Sequence, residues 1–249
     1  MNARLFVLPL LAIGVAVAAW SMSKSSSVPA ATWRVGGETE FEQAKNWGEY
    51  DAESPLRVSW HDSAPRHVYV LSHSLTDGTL LMWPSAELKS DLPQPLPAGD
   101  HVLPGHRDGR SLAWTTRSQV LPATTYVLLA AEAPIPELDA LLPKLRRWTT
   151  SVLADGSIQV TKPPADAPLA GAPGEGWPVP LLQQVVDAFR GETMVNGPLR
   201  PVAGRQGLWA SVWSAKEKPG SAKTGEPGKP QLPDALQKLQ DAVPPPEKR

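Results

Sequence analysis

The sequence predicts a mainly β fold: sandwich-like antiparallel sheets with two amphipathic helices, an N-terminal membrane segment and a disordered C-terminal tail. Short runs of β-branched and aromatic residues recur through residues 32–214, separated by turn chemistry. Asp-Gly stands twice between such runs, at Asp77-Gly78 and Asp155-Gly156, where a tight hairpin turn needs positive φ. Ten tryptophans against three each of Phe and Tyr supply the bulk of a core, each able to bury about 150–250 Å².

The leader comes first. No charge lies between Arg4 and Lys24, and Leu5 to Trp20 is almost wholly apolar. One reading of residues 1–23 is a signal peptide, with Ala16-Val17-Ala18 as the cleavage site before Ala19. The other is a transmembrane anchor through residues 5–23, about 28 Å long at helical rise, which matches a bilayer core. Either reading places the rest outside the cytoplasm. The chain would be anchored in the cytoplasmic membrane facing the periplasm, or secreted to the periplasm once cleaved. Residues 24–31 read as a flexible spacer.

Strand signals follow at Leu56 to Trp60 and Arg66 to Ser72. The latter leads through Asp77-Gly78 into Leu80-Leu81-Met82-Trp83. More come at His101 to Leu103, Ser111 to Thr115 and Thr125 to Ala131, and on either side of Asp155-Gly156. Gly207 to Trp213 reads as a closing strand. Leu138, Leu141, Leu142, Leu145 and Trp148 recur at helical spacing after Pro136, although Pro143 interrupts the run. Leu181, Leu182, Val185, Val186 and Phe189 form a second helical stripe, ended near Gly191. Six prolines and three glycines within 163–180 make that stretch a surface loop.

Residues 32–214 are therefore one β-rich domain and 215–249 a Pro/Lys-rich tail. Ten of the 35 tail residues are Pro or Gly, leaving too little apolar surface to offset the entropy of ordering. One island in the tail, Leu232, Leu236, Leu239 and Val243, has helical spacing and is the candidate partner-binding stripe. A transient helix in a solvated tail is the simpler reading of the same residues.

Composition excludes several chemistries. The absence of cysteine removes disulfides, thiolate metal sites and thiol nucleophiles. With 24 basic and 25 acidic residues well mixed, no basic stripe exists to bind nucleic acid. All five histidines lie between His61 and His106, but none has metal-ligand spacing. His106-Arg107-Asp108 echoes a kinase catalytic loop without the glycine-rich loop or Asp-Phe-Gly that would support it. No catalytic, metal or cofactor-binding residues are assigned, and no cofactor is implied. Most tryptophans are expected in the core. Trp177, set among prolines and glycines, is the candidate stacking residue for a sugar ring.

The stretch from His67 to Ile135 resembles bacterial domain-of-unknown-function family 4384. The resemblance is carried by His67-Val68-Tyr69-Val70-Leu71, the Asp77-Gly78 turn, and Leu80-Leu81-Met82-Trp83-Pro84. It continues through Leu96-Pro97-Ala98-Gly99-Asp100 and Thr125-Tyr126-Val127-Leu128-Leu129-Ala130. Family members usually show Phe-Pro where this chain has Trp83-Pro84. The resemblance implies a β-rich accessory module of envelope, signalling or protease-like proteins, and it brings no catalytic residues.

The expected function is a non-enzymatic, extracytoplasmic accessory module that binds a protein partner in the bacterial cell envelope. Glycan or cell-wall binding through exposed tryptophans is the first alternative. A hydrolase with a convergent His/Asp site, built from His61, His101 or His106, is the second.

Overall fold

The structure, a computed structural model, describes residues 28–218 except 37–39, 52–53, 76, 117–122, 148–149, 153–157, 161–169, 173, 191 and 193–195. It opens with β1 (Ala30–Gly36), β2 (Phe41–Gln43), β3 (Gly48–Tyr50) and β4 (Pro55–Asp62). The first strand begins at Ala30, inside the expected spacer. β1 and β4 pair antiparallel from Ala30↔His61 to Val35↔Leu56. Side chains alternate across a strand, so Ala31, Trp33 and Val35 turn inward together with Leu56, Val58 and Trp60.

β5 (His67–Ser74) and β6 (Gly78–Trp83) form the hairpin that Asp77-Gly78 predicts. Gly78 sits at φ +72°, and a Cβ there would run into the Gly171 carbonyl. The same carbonyl accepts the Thr79 amide at 2.9 Å. Glycine is thus required both by the backbone and by the neighbour it meets. Next come β7 (Gly99–Leu103), β8 (His106–Arg107), β9 (Arg110–Ser111), β10 (Ala113–Thr115) and β11 (Thr124–Ala131). The helix α1 (Pro136–Asp139) leads to β12 (Arg146–Arg147), β13 (Thr150–Val152) and β14 (Ile158–Val160). After α2 (Pro180–Ala188), β15 (Gly197–Pro198), β16 (Arg200–Pro201) and the long β17 (Leu208–Glu217) complete the fold.

Two sheets result. The first runs β14-β13-β10-β4-β1-β15, with β2 beside β1 and β7 beside β4. The second runs β12-β6-β5-β11-β17-β16, with β3 beside β17, while β8 and β9 form a separate ribbon. One core lies between the sheets and holds Trp33, Trp60, Trp83, Trp114, Trp209 and Trp213. A second core covers the other face of the second sheet. There Tyr69, Leu71, Val127 and Leu129 meet Leu138, Leu141 and Leu145 and the α2 residues Leu181, Leu182 and Val185. Strands of the second sheet are therefore buried on both faces, and their unbroken apolar runs follow from it. β6 is buried at every position, whereas β1 alternates.

The expected fold class needs two corrections. The helix predicted over Leu138 to Trp148 is not one helix. It ends as α1 at Asp139, passes through a 3₁₀ turn at Leu142–Lys144, and becomes β12, parallel to β6. Pro143 is the reason, because it lacks an amide donor and its ring collides with the carbonyl four residues earlier. The apolar stripe survives nonetheless, with Leu138, Leu141 and Leu145 buried in the second core. The α2 stripe folds as a helix of nine residues.

The membrane segment is the second correction. Among the described residues no helix is long and apolar enough to cross a membrane. The longest, α2, spans about 14 Å, half of a bilayer core. The expected signal peptide or anchor, residues 1–23, lies outside the described residues, as do most of the spacer and the tail beyond Lys218. The supported class is a mixed β-rich and helical fold with two short helices. With no membrane-spanning helix among the described residues, anchoring in the cytoplasmic membrane, the periplasm-facing location and an envelope partner are not supported.

Candidate functional site

A cleft of about 520 Å³ opens where β6 ends. Its apolar walls are Leu81, Trp83, Pro84 and Leu92 on one side, and Leu142 and Pro143 on the other. The first wall exists because the loop after β6 folds back on itself. Gln94 clamps Val68 from its side chain, accepting the Val68 amide at 3.3 Å and donating to the Val68 carbonyl at 2.9 Å. Ser90 Oγ donates to the Pro104 carbonyl and accepts the Leu92 amide. The second wall is the 3₁₀ turn imposed by Pro143.

The polar lining of this cleft is Ser85, Lys89, Ser90, Gln94 and Asp139. Lys89 projects from a left-handed position at φ 50°, exposed and with no ion-pair partner among the described residues. Trp83 is 2 % exposed, and its indole N–H has no acceptor among the described residues. Asp139, on the opposite rim, accepts the Tyr69 hydroxyl at 3.0 Å, and that hydroxyl accepts the Ile135 amide at 3.1 Å. An apolar cleft with a few placed polar groups suits binding.

Burial pushes the Tyr69 hydroxyl up from its ordinary 10 to about 12; the Asp139 carboxylate adds to the rise and the Ile135 amide opposes it. The unfolded chain would lose this proton near pH 10 while the folded chain keeps it. Stability contributed by the protonated hydroxyl is thus complete below pH 10 and falls between pH 10 and 12. Urea unfolding at stepped alkaline pH should show that decline, and Tyr69→Phe should remove most of it. An equally steep decline in Tyr69→Phe would assign the effect to another group.

A smaller cleft, of about 180 Å³, lies where β3, β17 and α2 converge. Asn46, Trp47, Thr125, Val186, Phe189, Arg190, Val212 and Ser214 line it. Trp47 is 53 % exposed, and its backbone is left-handed at φ 60°. Its amide donates to the Ser214 carbonyl at 2.7 Å. Asn46 accepts the Ser214 amide at 3.0 Å and donates to the Glu192 carbonyl. The turn carrying Trp47 is thus tied to both β17 and the segment after α2.

The residues singled out in the sequence are dispersed. Trp177 is half-buried, packs against the second core, and lies over His73 with ring centroids 4.7 Å apart. His73 Nδ1 also meets Thr79 Oγ1 at 2.9 Å, and burial lowers the His73 pKa. His61 pairs with Asp100 at 2.8 Å across β4 and β7, both exposed. His101 faces Trp60 in the same ladder, one register position away, so the two imidazoles leave on opposite faces. His106 sits beside Asp91 at 3.5 Å on the β8 ribbon. Neither cleft gathers these histidines. Among the described residues no group of three or more His, Asp or Glu could hold a metal ion. Leu232, Leu236, Leu239 and Val243 lie outside the described residues.

Six of the eight described tryptophans are buried, Trp177 is half-buried, and Trp47 is the exposed one. A local signal existed. Asn46-Trp47-Gly48 places a large aromatic inside turn chemistry, where burial is hard to arrange. No family model, curated protein or solved structure matches the chain, so the resemblance to family 4384 rests on its strand and turn residues alone.

Proposed function

We propose that this protein is a non-enzymatic accessory module that binds a protein partner through the cleft between Trp83 and Pro143. The observation that carries the reading is the pairing of a largely apolar cleft with Lys89, a cation that has no ion-pair partner among the described residues. Such a site favours a short partner segment that inserts an apolar side chain and sets a carboxylate beside Lys89. Asp139, engaged by Tyr69, adds selectivity by repelling an acidic group placed on the wrong rim. The cleft is held open by the Gln94 and Ser90 bonds, so little ordering entropy is spent at binding. The accessory role that family 4384 implies agrees with this reading.

A displayed library of random linear peptides tests it. Selection on the folded protein should enrich an apolar residue next to Asp or Glu. Selected peptides should lose at least tenfold in affinity for Lys89→Glu and for Leu142→Arg. Peptides that bind both variants as well as the parent would place recognition elsewhere. A selection without enrichment would remove the peptide-binding reading.

A further inference from the structure

Beyond that reading, we infer that the smaller cleft beside Trp47 is a second binding site, for an acidic carbohydrate. Three independent features meet there. The first is strain: Trp47 holds a left-handed backbone that a bulky residue rarely adopts, and the turn hydrogen bonds from Asn46 and Ser214 enforce it. Glycine would fit the position better. Tryptophan gains only partial burial in return, with about half of its surface left in solvent.

The second feature is the composition of the walls. Val186, Val212 and Phe189 give an apolar floor, and the hydroxyls of Thr125 and Ser214 lie 3.2 Å apart at its edge. One of these hydroxyls donates to the other, which leaves one proton and the remaining lone pairs of the pair for a ring bearing vicinal hydroxyls. A flat indole beside them presents its face to the C–H face of a pyranose.

Charge is the third feature. Lys216 Nζ stands 5.5 Å from the centre of the Trp47 ring, and Arg190 lines the cleft. Arg190, just past the end of α2, is bonded to Asp187 in the last turn of that helix, while Arg200 and Glu192 neutralise each other nearby. Lys216 is left without an ion-pair partner among the described residues, although Glu49 stands in register with it. A carboxylate on the sugar supplies the missing partner, which selects uronate-type rings over neutral ones. A proline-rich peptide could also stack on the indole, but it brings neither vicinal hydroxyls nor a required negative charge.

Electrophoretic retardation in native gels tests the inference, with the polymer cast into the gel. Polygalacturonate, hyaluronate and alginate serve as uronate polymers and dextran as the neutral control. The full chain should be retarded by at least one uronate polymer and not by dextran. Trp47→Gly should weaken the retardation at least tenfold while the melting temperature holds or rises, since glycine relieves the positive φ. A tryptophan with a merely structural role would lower the melting temperature when removed. Lys216→Glu, which leaves the turn intact, should lose retardation as well. Equal mobility with and without every uronate polymer would overturn the inference, as would retardation unchanged in Trp47→Gly. Binding of a proline-rich peptide that Trp47→Gly abolishes, without uronate binding, would reassign the cleft to peptides.

Discussion

Arg66→Met is expected to destabilise the fold by about 3–5 kcal/mol, because it strands a buried carboxylate. Arg66 is 3 % exposed and Asp62 1 %, and the guanidinium Nε meets the Asp62 carboxylate at 2.7 Å. A second arm reaches Glu132 at 3.2 Å, and the guanidinium carbon lies 4.6 Å from the centre of the Trp209 ring. The backbone of Arg66 adds a two-way bridge to Leu96, at 2.9 and 2.8 Å. One side chain thus fastens the β4–β5 connection to β11 and β17, joining both sheets. Methionine keeps the aliphatic packing but takes the Arg66 guanidinium away from the buried Asp62 carboxylate, which retains the Ala64 amide at 3.1 Å. With total stability of about 5–15 kcal/mol for an ordinary domain, that loss takes a large share. Urea unfolding measures it directly. The double variant Asp62→Asn/Arg66→Met, which removes both charges, should lose less than Arg66→Met alone. A cost below about 1 kcal/mol for Arg66→Met would show that the pair is not the fastener described here.

Trp213→Ala should be comparably severe, at about 3–5 kcal/mol, for a different reason. Trp213 is fully buried and is the hub of an aromatic cluster. Its ring stacks on Tyr126 with centroids 4.6 Å apart and meets Trp33 at 5.6 Å and Tyr50 at 5.7 Å. Its indole donates to the Lys45 carbonyl at 3.0 Å. Alanine would leave a void that the surrounding rings, themselves pinned in two sheets, can close only in part. The same change removes one of the bonds to the Lys45 carbonyl, which also accepts the Gly48 amide at 2.9 Å in the turn that presents Trp47, so stability and carbohydrate retardation should fall together. Trp213→Phe, which keeps an aromatic ring but not the donor, should lose markedly less. Equal losses for the two variants would mean that the indole bond, rather than packing volume, dominates.

Local rules account for much of this architecture. Residues 56–60, 66–72, 80–83, 125–131 and 207–213 carry strand signals, and all fall on β4, β5, β6, β11 or β17 or within a residue or two of them. Period-two alternation and the Asp-Gly turn act over a few residues, so a reading of neighbours finds them. The α2 stripe was legible on the same grounds. The stripe over Leu138 to Leu145 misled, because apolar spacing of that kind marks a buried face whether or not the backbone stays helical. Pro143 decided the backbone, and the second core still collected the leucines.

The sites were far less legible. Trp177 looked exposed from its proline and glycine neighbours, yet His73 and the second core cover much of it. Trp47 looked like one more core tryptophan, yet it stands in solvent. Both outcomes depend on residues more than a hundred positions away, such as Ser214 against Trp47. No window of sequence contains that information.

By itself, the sequence determined where strands form, where the Asp77-Gly78 hairpin turns, and that tryptophan would fill the core. Each follows from φ preferences and side-chain periods that neighbouring residues set. Tertiary structure alone decided which tryptophan stays in solvent, which arginine is buried against an equally buried carboxylate, and where the clefts open. Those properties belong to surfaces made by β3, β17, α2 and the loop after β6 coming together, and burial is settled only when distant segments meet.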